Sequence, residues 1–528
     1  MAKRRKTTAR STLPNETLQL IAECIRDTKD MAALLGALPE SHKSAPLRAL
    51  GVLLNAVRDR RIPQLDTIGS RMSELSSRLL TPDCITKDDD LRRAIATYAS
   101  MVPRIPVRAD TAPWFCVPPR ARLEVATVQT RDELAYVMTH WSDQAASLRV
   151  ELGKLVVDDV CRALRALPQL RCLHLTWPAS ASAAQHLTLF LASWAPTSAP
   201  WNKAVVNAFL AWTTRAAVKA LSFVHLCVAT TDAPALAVAL LGLKSLQSLR
   251  VEFGDFPRAL FATGQQLPVR LTTLTTYLDT ECSVDGFLQT IGGSNLRHLE
   301  LGTARRLAPQ TTTRLCHVIS TLTRLRHLGM RGRLDLRPSA MTWLSRCLQQ
   351  LVTLQLRGTS VCDTGATLLA LVLPACVRLE ELCLYNQSCT HVATEALAAA
   401  IPACVTLKVL DLSFNQLGSD GLLALLPVMR CLDSVALRGS NIGDDGANGL
   451  CRMMHDTDHM RKLNLSCNPL STSAVLSVIH AVAESVVRHG VVDLCGIVHD
   501  KDDLRECWEF ARETLPYSSW CKLNALYF

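Results

Sequence analysis

The sequence predicts an α/β solenoid, with parallel strands on a concave face, helices on a convex face and a small all-α module in front. Three observations predict it. A short Leu-x-Leu pair recurs every 25 to 29 residues through the second half of the 528-residue chain. A further leucine stands three residues before most pairs, as in Leu379-Leu382-Leu384 and Leu407-Leu410-Leu412. An alanine- and leucine-rich stretch at helical spacing then fills the interval to the next pair.

The clearest run extends from Leu407 to Leu470. It reads Leu407, Leu410, Leu412, Asn415 and Leu417, then Leu432, Val435, Leu437 and Ile442, then Met460, Leu463, Leu465, Asn468 and Leu470. Side chains alternate along a strand, so both residues of each pair face the same way. A single unit cannot bury that apolar side alone, and neighbouring units therefore stack. In chain order the same frame fits Leu170-Leu173-Leu175, Leu221-Val224-Leu226, Leu246-Leu249-Val251, Leu296-Leu299-Leu301, Leu325-Leu328-Met330 and Leu351-Leu354-Leu356. Leu271 and Leu274 give a weaker copy, Leu123-x-Val125 and Val150-x-Leu152 looser ones, and Val492-x-Leu494 the last. A small residue follows nine positions after the pair (Gly365, Ala393, Gly421, Gly446, Ala474), and an aliphatic one four later (Leu369, Leu397, Leu425, Leu450, Val478). The small residue is expected to let the return helix approach the strand. Asparagine is kept only at Asn415 and Asn468, so the turn is expected to be less regular elsewhere. This pattern, Leu-x-x-Leu-x-Leu-x-x-Asn-x-Leu, resembles the leucine-rich repeat of the ribonuclease-inhibitor-like subclass.

Residues 1–11 are expected to be a disordered, solvated tail; Lys3, Arg4, Arg5, Lys6 and Arg10 supply half of the net charge of +10. They also suit a nuclear localisation signal. Residues 12–60 read as an amphipathic helical module, with Leu18, Ile21 and Ile25 on one face. Leu13, Pro14, Glu16, Leu18, Ile21, Ile25, Asp30 and Met31 follow the form Leu-Pro-x-Glu-x-Leu-x-x-Ile, a hydrophobic residue four further on, then Asp-Leu. The segment is similar to the opening of an F-box. That resemblance implies docking on a Skp1-type adaptor of a cullin ubiquitin ligase through Leu13, Pro14, Leu18, Ile21 and Ile25. Residues 61–120 read as a helical and proline-rich linker, with Pro103, Pro106, Pro113, Pro118 and Pro119 breaking its end. Repeats are expected over 121–497, and a cap of polar helix and aromatic tail over 498–528.

Composition excludes several classes. None of the 20 cysteines forms a Cys-x-x-Cys pair, so they read as reduced, buried apolar residues. With no leader and no apolar run of membrane length, a cytoplasmic or nuclear chain without membrane contact is expected. The Gly-x-x-x-x-Gly-Lys-Ser/Thr, Gly-x-Ser-x-Gly and His-Glu-x-x-His signatures are absent, so neither catalysis nor a cofactor or metal is expected. Nucleic acid is not expected either, because acids are interspersed with the bases.

Strand alternation instead places a target-binding set on the concave face: His298, Glu300, His327, Arg331, Gln355, Arg357, Glu381, Tyr385, Asp411, Arg438, Lys462 and Asn464, with Arg250 and Glu252 beside them. Mixed charge with tyrosine and several arginines suits a protein partner. The expected function is target recognition within a Skp1-cullin-F-box ligase. The alternative is a non-catalytic scaffold or inhibitor of ribonuclease-inhibitor type.

Overall fold

The computed structural model describes residues 45–58, 93, 94, 97, 104–107, 122–151, 155, 157–176, 201, 203–224, 226, 228–278, 281–303, 305–336, 338–454, 462–484, 491–497, 500–514 and 520–522. Leu13, Pro14, Leu18, Ile21 and Ile25 lie outside them. The chain forms two units, Met1–Thr188 with Trp201–Phe223 and Leu189–Pro200 with Val224–Phe528.

In the first unit, helix α1 (Ala45–Arg58) buries Ala49, Leu50 and Leu53, which share one helical face. A parallel ladder follows, made of β1 (Arg104–Val107), β2 (Arg122–Val128), β3 (Ala145–Glu151) and β4 (Cys172–Thr176). Helices α2 (Arg131–His140), α3 (Val157–Ala166) and α4 (Lys203–Arg215) pack on one another in sequence. Thr130 caps α2 by accepting from the Glu133 amide, and the Glu133 carboxylate accepts from the Thr130 amide in return. Strand β1 falls inside the stretch expected to be linker. Pro106 does not prevent this, because a proline at a ladder's edge need not donate inward.

Two repeat frames of this unit differ from the sequence reading. Leu148 and Val150 pair with Leu173 and Leu175, so the inward pair is Leu148-x-Val150 and not Val150-x-Leu152. In β5 (Ala220–Val224) the buried apolar residues are Leu221 and Phe223, on either side of a buried Ser222, with Val218 three before, so the frame starts three residues earlier than Leu221. Phe223 passes for a spacer when only aliphatic residues are counted. Its ring lies 5.8 Å from Phe209 and 6.0 Å from Trp201 in the core.

The second unit holds strands β6 (Ser248–Glu252), β7 (Thr273–Leu278), β8 (His298–Thr303), β9 (His327–Gly332), β10 (Thr353–Arg357), β11 (Glu381–Tyr385), β12 (Val409–Asp411), β13 (Ser434–Ala436), β14 (Lys462–Asn464), β15 (Val491–Asp493) and β16 (Trp520–Lys522). They pair in parallel and in sequence order. Between them run α5 (Ala233–Leu241), before β6, and α6 (Phe256–Phe261), α7 (Glu281–Ile291), α8 (Pro309–Ser320), α9 (Pro338–Leu348), α10 (Cys362–Val372), α11 (His391–Ala400), α12 (Gly418–Met429), α13 (Asp444–Met454), α14 (Thr472–Glu484) and α15 (Lys501–Thr514). Each of these helices packs on the next. The inward pairs are fully or nearly fully buried: Leu299 and Leu301, Leu328 and Met330, Leu354 and Leu356, Leu382 and Leu384, Leu410 and Leu412. Strand β16 extends the ladder into the segment expected to be only a cap.

The small residue nine positions after the pair has neighbours both in its own repeat and in the preceding helix. A Cβ on Gly421 would meet Leu417 at 2.8 Å and Thr394 of the preceding helix at 3.1 Å. One on Gly446 would meet Ile442 at 2.8 Å and Leu422 of the preceding helix at 3.3 Å. Smallness there lets the helix sit close both to the strand-to-helix turn of its own repeat and to the preceding helix.

The turn after each strand is more regular than its asparagines suggest. Asn415 donates to the carbonyls of Leu384 and Leu412 and accepts from the amides of Gln387 and Cys389. Asn468 repeats this with Leu437, Leu465, Ser440 and Ile442. Gln387 takes the same place one repeat earlier, donating to Leu356 and Tyr385 and accepting from the Val361 amide and the Thr359 hydroxyl. Two residues after the second inward residue the backbone is left-handed, at Phe253, Gly332, Gly358, Asn386, Phe414, Gly439, Cys467 and Gly496.

Candidate functional site

The outward side chains of the second unit's ladder form three columns in register. The first runs Thr273, His298, His327, Thr353 and Glu381; the second Thr275, Glu300, Gly329, Gln355, Cys383; the third Tyr277, Gly302, Arg331, Arg357, Tyr385. Each strand contributes alternate residues, and parallel pairing brings like positions side by side. Asp411, Arg438, Lys462 and Asn464 continue the face. All twelve residues expected there keep some exposure to solvent.

Glu252 departs from expectation. It occupies an outward position, yet its side chain is 0% exposed. Arg250 and Arg331 both form ion pairs with it and cover it. A sequence frame gives direction but not what a neighbouring strand folds over the side chain.

Elsewhere the acids are held by their neighbours. Glu300 accepts from His298 Nε2 at 3.3 Å, and this hydrogen bond, opposed by burial, holds its carboxyl below the usual range. Glu381 accepts from Gln355 Nε2 at 2.7 Å. Asp411 accepts from the Ser413 amide at 2.9 Å and from the Cys383 thiol at 3.4 Å; burial, then that carboxylate, pushes the thiol up to about 12. His298 and His327 face each other with centroids 5.4 Å apart, and no group of three metal-ligating side chains occurs among the described residues.

Along the third column Arg331 and Arg357 stand side by side, between Tyr277 and Gly302 on one side and Tyr385 on the other. Phe414, which the sequence reading did not single out, lies 5.0 Å from Tyr385, and the Arg438 guanidinium sits 5.3 Å over its ring. At the other end Tyr277 lies 4.4 Å from Phe253. Phe253 and Phe414 both occupy the left-handed turn position, outside the Leu-x-Leu frame, so periodicity gives no signal for them.

A family model described as Leucine Rich repeat matches residues 403–426, the segment that runs through β12 into α12. The parallel strands with their return helices fit the fold of a leucine-rich-repeat solenoid. Human NACHT, LRR and PYD domains-containing protein 12 is 35% identical over 126 residues, a stretch that is 23% of this chain and 12% of that protein. The match thus spans about an eighth of the relative's length. No described helix is long and apolar enough to cross a membrane.

Proposed function

We propose that this chain is the target-recognition subunit of a Skp1-cullin-F-box ubiquitin ligase of the cytoplasm or nucleus. Its open strand face holds the target protein, and the F-box-like segment at Leu13, Pro14, Leu18, Ile21 and Ile25 docks on the adaptor. The observation that carries the first part is the register of half-exposed charged and aromatic side chains on adjacent strands, Arg331, Arg357 and Tyr385 above all. Arginine and tyrosine contribute most to protein interfaces because they combine large contact area with hydrogen bonds. The second part is supported by the eight F-box positions of the sequence. Such a subunit acts by proximity and supplies no reacting group. Co-purification with a Skp1-type protein, lost in Leu18→Asp/Ile21→Asp, is the expected result. Absence of any adaptor from the wild-type complex would overturn the ligase reading.

A scaffold or inhibitor acting through the repeats alone is the second reading, favoured by the family match lying wholly within them. A target held by wild type and by Leu18→Asp/Ile21→Asp, with no adaptor on either, would establish it.

A further inference from the structure

The columns of the open face differ in how their charges are satisfied. Glu300, Glu381 and Asp411 already accept hydrogen bonds from His298, Gln355, Ser413 and Cys383. Arg331 is committed to Glu252. Arg357 has only the neutral Gln355 Oε1, at 3.3 Å, and Arg438 has the face of Phe414. The Arg438 Nε is buried and has no hydrogen-bond partner. Among the described residues neither Arg357 nor Arg438 has a carboxylate partner. This edge therefore carries two guanidinium groups without a direct ion-pair partner, with two rings between them.

Phe414 adds a second observation. Its φ of 57° is the left-handed region, where other repeats place Gly332, Gly358, Asn386, Gly439 or Gly496, and also Phe253 and Cys467. A phenylalanine is disfavoured there, and its ring, partly exposed and lying over Gly439, is outside the apolar core. What the ring gains is a place between Tyr385 and Arg438, facing outward beside the strand face.

We propose that Arg357, Tyr385, Phe414 and Arg438 seat an extended acidic segment of the partner protein, with two carboxylates four residues apart and an apolar side chain between them. This rests on reading the open face as a protein-binding surface. Charge selects the occupant, since guanidinium forks match carboxylates in bidentate fashion. Spacing selects its conformation. Arg357 and Arg438 stand three strands apart, about 14 Å at roughly 4.8 Å per strand, and an extended chain covers about 14 Å in four residues. A helix places residues i and i+4 only about 6 Å apart. The rings of Tyr385 and Phe414 would meet the apolar side chain midway.

Fluorescence anisotropy of the full chain with a labelled Gly-Ser-Glu-Ala-Leu-Ala-Glu-Ser-Gly peptide tests this. Binding should weaken at least tenfold in Arg357→Gln/Arg438→Gln and at least threefold in each single variant. It should stay within twofold in Arg452→Gln, on helix α13, and weaken as salt is raised. Both face arginines are partly exposed, and circular dichroism of the variants confirms that the fold is kept. Equal affinity in the double variant, or for the peptide with both Glu replaced by Gln, overturns the proposal. If the Glu-to-Lys peptide binds instead and is lost in Glu300→Gln/Glu381→Gln, the acidic-segment proposal fails while the face remains a protein-binding surface. If no peptide binds and a captured target is unaffected by any of these substitutions, both fail.

Discussion

Arg331 on β9 forms an ion pair with Glu252 on β6, across the two intervening strands β7 and β8. The path is open because Gly302 has no side chain. A Cβ there would lie 2.3 Å from Tyr277 Cδ2 and 3.1 Å from Arg331 Nε. The pair ties four rungs together at the edge of the face, beside a rung whose Thr276 is buried with its hydroxyl unpartnered. Arg331 also stands near Arg250 and Arg357, and burial, then those two charges, holds its pKa below the usual range. Glu252 is what keeps a crowded guanidinium in place.

Removing one partner of that pair leaves a buried carboxylate with Arg250 alone. Arg331→Met is expected to cost about 2 kcal/mol, below the full loss for a buried pair because Arg250 remains. Glu252→Leu/Arg331→Met should recover at least half of this, since no buried charge is then stranded. Urea midpoints of the four proteins of the cycle give the coupling, and an additive cycle would contradict the pairing.

Asn415 satisfies two amides and two carbonyls that are otherwise buried. Asn415→Ala should cost about 3 kcal/mol, from several unmade bonds partly replaced by water. Gln387→Ala should cost a comparable amount, although glutamine does not fit the sequence pattern. Hydrogen exchange should show protection lost first in the strands flanking the substitution, because each repeat contacts only its neighbours.

The fold was legible in the sequence because its determinant is periodic. Leu382 and Leu384 or Leu410 and Leu412 repeat at fixed intervals, and their burial follows from alternation alone. Errors arose where another residue does the same physical work. Phe223 stands for a strand leucine, and Gln387 for the turn asparagine. Strands β1 and β16 were missed because Pro106 and the aromatic tail signal other structures locally, while parallel pairing with β2 and β15 decides. Outward direction at the site was readable, but Glu252 is covered by side chains from two strands, and Phe414 enters from a turn. Both depend on neighbours distant in sequence.

Gly332 and Gly358 occupy the same left-handed turn position, with φ of 99° and 66°, but in different surroundings. A Cβ on Gly332 would lie 2.1 Å from the Thr303 carbonyl oxygen, whereas one on Gly358 meets nothing within 4 Å. Gly358→Ala should cost about 1 kcal/mol, the conformational term alone. Gly332→Ala should cost more than about 3 kcal/mol, since backbone must also shift. Equal losses of denaturation midpoint would mean that crowding is absorbed elsewhere.

Acid should destabilise the repeats in two steps. Burial, and then the His298 charge, lowers the pKa of His327 from its ordinary 6.5, while Glu381 and Glu380 oppose the shift. Thr353 on the next strand shares a hydrogen bond with its Nδ1 at 3.1 Å. Glu300 is lowered from 4.5 by its hydrogen bond from His298, against burial, with further help from the charges of His298, Arg250 and Arg357. In both cases the folded chain binds fewer protons than the unfolded chain below the ordinary value. The stability each group contributes is therefore present above that value and lost as pH falls through the folded pKa. The denaturation midpoint should drop as pH is lowered below 6.5, and again below 4.5. His327→Asn should flatten the first limb and leave the second, whereas Glu300→Gln should do the reverse. A midpoint that rises on acidification from pH 7 to 5.5, or a first limb unchanged in His327→Asn, would show that His327 favours its charged form in the fold. Its contact with His298 and its partial burial argue against that, because each raises the cost of a second positive charge on this face.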